Sequence, residues 1–202
     1  MKLFLASTAF AALVLAAGQS GAQASADPAQ VQPGTFQVEP NHTRVQFSVM
    51  HLGFTHYWGD VSGVSGTLTL DPANASSDRV SVTIPVASIS TTNATLDGQI
   101  KSPMFLDGTA YPDITFVSTS VTPTGSTTAT IVGDLTLHGV THPITLQAKF
   151  NAAGVNLMSK AYTVGFDATG SFNRSDFGVK TYVPMIGDNV DITISAAFQK
   201  AN

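Results

Sequence analysis

The chain has 202 residues, 13 acidic against 9 basic, and no cysteine. Its length allows one domain, or two very small ones, and the acidic balance argues against a nucleic-acid binder, which needs clustered Lys and Arg. Without cysteine there are no disulfides, no thiolate metal site, no cysteine nucleophile and no lipid-modified N-terminal Cys.

In chain order, Met1-Lys2 gives a short positive start and the run from Leu3 to Ala17 carries no charge. Ala22-Gln23-Ala24 then fits the small-x-small pattern cut by signal peptidase. The run is shorter than the roughly 20 apolar residues that span a bilayer, so a cleaved signal peptide over 1–24 is expected rather than an anchor. A second triplet, Ala24-Ser25-Ala26, leaves the cut open by two residues. Export without cysteines suits a bacterial periplasm. Residues 25–34, with two Pro and no periodicity, read as a flexible leader, and 35–202 as one domain.

Beyond the leader the pattern has period two. Val45, Phe47 and Val49 alternate with polar neighbours, as do Val80, Val82, Ile84 and Val86. So do Ile144, Leu146, Ala148 and Phe150, and later Val190, Ile192, Ile194 and Ala196. These runs predict strands with one apolar face. Weaker runs near 57–70, 112–121, 126–137 and 160–172 bring the number to about eight. Asp71-Pro72, Pro123-Thr124-Gly125, His138-Gly139, Ala153-Gly154 and Gly187-Asp188-Asn189 mark turns. One segment breaks the period: Leu96, Ile100 and Met104 recur at helical spacing, with Thr92 or Asn93 to cap and Pro103 to stop a short helix. The chain is only 11% charged, and 25 Thr stand beside a single Glu, Glu39, which suits strands and disfavours an all-helical fold. Eight long antiparallel strands with short turns favour a tall barrel, wide enough to be filled by side chains or to hold one slender ligand.

Five ordered blocks carry a resemblance. Asn41 to Phe54 reads NHTRVQFSVMHLGF, Ala87 to Thr91 reads ASIST, and Lys101-Ser102-Pro103-Met104-Phe105-Leu106-Asp107 runs on to Tyr111-Pro112. Gly133 to Ile144 reads GDLTLHGVTHPI, and Phe172 to Gly178 reads FNRSDFG. Together they resemble the YceI-like family of polyisoprenoid-binding proteins over about Thr35 to Phe198. The resemblance implies an all-β fold: an elongated, lipocalin-like barrel of eight antiparallel strands with one short helix. It also implies a long apolar pore for a polyisoprenoid or other long-chain lipid. Leu96-Asp97-Gly98-Gln99 stands where the family often has Arg-Asp and a later His, so no head-group contact is carried over to those positions. Thr43 follows His42 where Ser is usual, which keeps the hydroxyl.

The expected function is therefore an exported, non-enzymatic, periplasmic protein that holds a polyisoprenoid for transport, storage or sequestration, with a quinone or isoprenoid phosphate among the candidates. The lining residues expected from alternation or from the family blocks are Phe47, Val49, Phe54, Val82, Ile84, Phe105, Phe116, Leu135, Phe166, Phe172, Phe177 and Ile192. Each buried methylene contributes at most about 0.8 kcal/mol, so several isoprene units suffice for tight binding without polar contacts. Arg174 and Asp176 are expected to form a structural ion pair near a barrel end. No cofactor is expected beyond the lipid. Expected partners are the lipid, a membrane or a donor or acceptor protein in passing, and a second copy of the chain. The competing reading is a metal-dependent or hydrolytic enzyme built on His51, His142 and nearby Asp, since two or three imidazoles with a carboxylate can bind zinc. His138-Gly139-Val140-Thr141-His142 has turn chemistry, however, and local hydrogen bonding explains such residues as well.

Overall fold

The computed structural model describes residues 24–201, so the expected signal peptide over 1–24 lies almost wholly outside the described residues. Ten strand segments form one antiparallel sheet: β1 (Gly34–Val38), β2 (Arg44–His51), β3 (Thr55–Val61), β4 (Ser65–Leu70), β5 (Arg79–Pro85), β6 (Asp113–Pro123), β7 (Thr128–Leu137), β8 (Val140–Val155), β9 (Tyr162–Asn173) and β10 (Ile186–Lys200). The sheet runs β1-β4-β5-β6-β7-β8-β9-β10 and closes by pairing β1 with β10. It is a closed barrel of eight strands, with the β2–β3 hairpin continuing two of them upward.

The ten segments make eight staves because two staves are broken. β10 pairs with β1 through Val38↔Phe198 and then with β2 through Val45↔Ile194. Between them Pro40 cannot extend the ladder, and the Glu39 carboxylate accepts hydrogen bonds from the Asn41 and His42 N–H groups. Thr43 bridges the break. Its buried hydroxyl donates to the Ala197 carbonyl at 3.1 Å and accepts from the Ala197 N–H at 3.1 Å. The strand expected over 57–70 is likewise two, interrupted at Ser62-Gly63-Val64, where Gly63 has φ +66°. The longest segment, β8, has 16 residues, roughly 50 Å of extended chain at about 3.3 Å per residue.

β3 pairs with β2 but meets the following segment only through an isolated bridge, Asp60↔Ser90. The helix α1 (Ala94–Lys101) covers this gap, with Ile100 packed against the buried cluster of Val61, Val86 and Ile89. Asn93 caps it, its side-chain oxygen accepting from the Thr95 and Leu96 N–H groups. The helix ends at Lys101, two residues before Pro103.

The turns expected at 71–72, 123–125, 138–139 and 187–189 connect or bend strands, whereas Ala153-Gly154 lies inside β8. There Ala153 pairs in both directions with Ser25 through backbone bonds of 2.8 and 2.9 Å. Residues 25–33, within the expected leader, lie against the barrel. Val31 is buried with Phe36, Leu68, Leu70, Phe150, Val164 and Phe198 at that end. We refer to it as the lower end, and to the end bearing the β2–β3 hairpin, α1 and the 174–185 segment as the upper end.

Candidate functional site: an apolar cavity along the barrel

The buried apolar residues form three clusters, bridged by the half-buried Val80 in one case and by Leu106 and Ile114 in the other, and residues of all three line a cavity of about 600 Å³. That volume lies in the range, roughly 300–1,000 Å³, of small-molecule sites. Ten of the twelve expected residues form its wall: Phe47, Val49, Val82, Ile84, Phe105, Phe116, Leu135, Phe166, Phe172 and Ile192. The period-two pattern fits their placement, since residues i and i+2 of each strand point inward together.

Two of the twelve lie elsewhere. Phe54 sits in the tight β2–β3 turn, outside the alternation, and is 85% exposed. Phe177 is 1% exposed, in a short 3-10 turn (Arg174–Phe177) where the strand period no longer holds. Its ring packs edge-on against Phe172 and His142, behind the wall instead of within it. Conversely, Leu96 and Ile100 of α1 face the cavity, as do Tyr57 and Tyr182. The helical spacing of Leu96 and Ile100 was a usable signal for an inward face. Tyr182 lies in an aperiodic loop, and no pattern marks it.

Glycines keep the wall thin where rings lie on it. Phe47 is the cross-strand partner of Gly59, and a Cβ at Gly59 would fall 2.3 Å from the Phe47 ring. A Cβ at Gly133 would fall 2.4 Å from the Phe116 ring. Both rings therefore lie flat over a backbone with no side chain beneath them. Branched residues at these glycines would force the rings off the wall.

The polar groups at the ends are mostly committed to the fold. Arg174 is buried, and its guanidinium donates to the carbonyls of Gly187, Val179, Thr181 and Ile186 at 2.9–3.0 Å. The expected ion pair with Asp176 does not form. Asp188 is the nearby acid, its carboxylate accepting from the Ser175 N–H and hydroxyl. Backbone carbonyls satisfy the guanidinium better because the 178–187 loop wraps around it. Asp97 accepts from the Thr91 hydroxyl and N–H at 2.6 Å, which hold its carboxyl below its ordinary value and lock the start of α1. At the lower end, Asp78 lines the cavity. Burial raises its carboxyl to about 6, against the hydrogen bond it accepts from the Asp71 N–H.

The histidines of the competing reading do not converge. His51 ends β2, beside Tyr57, and lines the cavity. His142 lies on β8 in a separate shallow groove with Asp176 and Ser171. The His138 ring bonds the Phe177 carbonyl at 3.2 Å and lies edge-on to Tyr111. Among the described residues no three His, Asp or Glu side chains gather into a group able to hold a metal.

Known proteins resemble this chain in sequence, and solved structures resemble it in fold. The chain is 36% identical over 195 residues to a UPF0312 protein of Pseudomonas savastanoi pv. phaseolicola, covering 96% of each. It is 37% identical over 195 residues to Protein YceI of Shigella flexneri, again covering 96% of each. Among solved structures it matches the YceI protein of Campylobacter jejuni with a TM-score of 0.67 at 26% identity, over 76% of this chain and 90% of that one. A polyisoprenoid binding domain from Saccharophagus degradans, implicated in plant cell wall breakdown, shares the fold with a TM-score of 0.63 at 11% identity, over 84% of this chain and all of that one. With the YceI-like domain model matching residues 36–198, from the first barrel strand to the last, the chain belongs to the YceI-like domain family.

Proposed function

We propose that this protein is an exported, non-enzymatic binding protein that carries or sequesters a polyisoprenoid or similar long-chain lipid in its barrel. The observation that carries the reading is the cavity itself, about 600 Å³ and walled mainly by phenylalanines and branched aliphatics. A wall of that composition disfavours a ligand that is polar along its length, because each unpartnered polar group buried there costs about 1–3 kcal/mol. It leaves any polar head group, as of a quinone or isoprenoid phosphate, to the polar lining residues. It suits a flexible hydrocarbon, whose every methylene gains by leaving water. The name of the Saccharophagus degradans domain points to the same ligand class. Periplasmic residence rests on the signal pattern at 1–24 and on the missing cysteines.

Mass spectrometry of organic extracts from protein purified without detergent tests this. The expected result is a single lipid class near one molecule per chain. An extract without lipid, from protein that also fails to take up a long-chain isoprenoid alcohol offered in solution, would overturn the reading.

A further inference from the structure

Five large apolar side chains stand exposed on the upper rim: Leu52 at 50%, Phe54 at 85%, Met104 at 49%, Tyr182 at 52% and Met185 at 59%. The three segments that bear them are tied to one another. The Leu52 N–H donates to the Met185 carbonyl at 2.9 Å, and the Thr181 hydroxyl donates to the Met104 carbonyl at 2.6 Å. The Phe105 and Tyr182 rings pack with centroids 6.2 Å apart. The exposed side chains are thus one structured collar, not scattered surface residues. Monomeric proteins seldom leave so many large apolar groups together in water.

The collar is continuous with the cavity. Tyr182 lines the cavity and is still half exposed, and Phe105 lines it directly beneath. At this end, therefore, apolar side chains run from the cavity wall to the outer surface, beside the polar lining residues His51, Gln99 and Arg174. Charge follows the same outline. No Asp, Glu, Lys or Arg occurs over residues 45–59, 102–106 or 181–187, while Lys101 and Lys180 directly precede two of these segments. The acids next to the same segments are engaged within the protein: Asp60 with Gln46, Asp107 with the Ala110 N–H and Asp188 with Ser175. A charge-free apolar tip backed by lysines is the pattern of a surface that enters the boundary between lipid tails and phosphates.

We infer that the upper rim docks on the surface of a phospholipid bilayer, setting the mouth of the cavity against the membrane. The inference rests on the lipid-carrier reading of the cavity and adds the surface through which a lipid would pass. Insertion of the rim lets a hydrocarbon chain move from bilayer to barrel without crossing water.

Flotation with vesicles of phosphatidylethanolamine and phosphatidylglycerol tests it, using the intact mature protein. Trp58, the only tryptophan, lies 56% exposed on β3 just behind the rim and reports burial by a blue shift of its emission. The expected result is that the protein floats with the vesicles and its emission shifts. A Phe54→Ser, Met185→Ser double variant should bind at least about tenfold more weakly, since each side chain forfeits most of its transfer from water. Because both residues are exposed, the variant should keep its thermal midpoint and its extracted lipid. Wild-type protein that neither floats nor shifts, or a variant that floats equally well, would overturn the inference. So would sedimentation showing a wild-type dimer that the double variant abolishes, since the rim would then be covered by a second copy. Extracts empty of lipid would sink the carrier reading alone and leave the vesicle result to judge the rim.

Discussion

A single missing side chain decides how wide the lumen can be. Gly59 stands opposite Phe47, whose ring occupies the place a Cβ would take. Gly59→Val must push that ring into the cavity, an overpacking that costs about 1–3 kcal/mol and narrows the bore. The variant should fold, with a lower thermal midpoint and less lipid in its extract, and a second substitution, Phe47→Ala, should restore the lipid. Equal lipid in Gly59→Val and wild type would show that the ring does not limit the bore. Asp78 acts at the same scale, through protons. Its carboxyl is raised from 3.8 to about 6 in the folded protein, chiefly by burial. Between those values the folded chain binds more protons than the unfolded one, so stability falls as pH rises from about 4 to about 6. Asp78→Asn should flatten that part of the curve of denaturation midpoint against pH; an unchanged slope would remove Asp78 as its source. Neither residue was legible in the sequence. Period two shows that Phe47 faces inward, but only the register reveals that its partner is a glycine. The burial of Asp78 depends on a loop that no periodicity describes.

At the scale of elements, the strands were legible because a barrel wall with one wet face must alternate, and residues 190–196 lie in β10 as the alternation requires. The interruptions were less so. Pro40 and Gly63 break two staves, and reading across Gly63 merged β3 and β4 into one strand. Phe54 and Phe177 lie off the cavity wall for a related reason: both sit in turns, where the inward and outward rule lapses. The helix was readable from its spacing, yet its task was not. It covers the opening between β3 and the far end of β5, with Leu96 and Ile100 turned to the cavity. Its hold depends on the Asn93 cap, whose loss typically costs about 1 kcal/mol. Asn93→Ala should lower overall stability by about that amount. Amide exchange should quicken in α1 while β7 to β9 keep their protection. Uniform loss of protection across the sheet would mean that the helix is integral to the barrel instead of a cover upon it.

For the whole molecule, the apolar lumen poses an energetic question that no single residue answers. An empty apolar lumen of about 600 Å³ is costly, because its lining loses the contacts that a packed core supplies. Neither water nor vacancy recovers such a cost in an apolar bore, whereas a hydrocarbon chain restores the missing contacts along it. Closure into a ring lets the barrel persist while its interior is exchanged, because the ladder hydrogen bonds do not depend on the contents. Protein stripped of lipid by solvent extraction and refolded should therefore keep its strand content but melt lower. A ligand present at about 100 times its dissociation constant adds about 2.7 kcal/mol, which for a chain of this size is a rise of roughly 5–10 °C. Returning a long-chain isoprenoid should restore the midpoint in a concentration-dependent way. A short alcohol with the same head group should not, since the gain scales with methylenes buried. If stripped and loaded protein melt together, the bore must collapse on emptying, and an open lumen would then be a property of the complex and not of the chain.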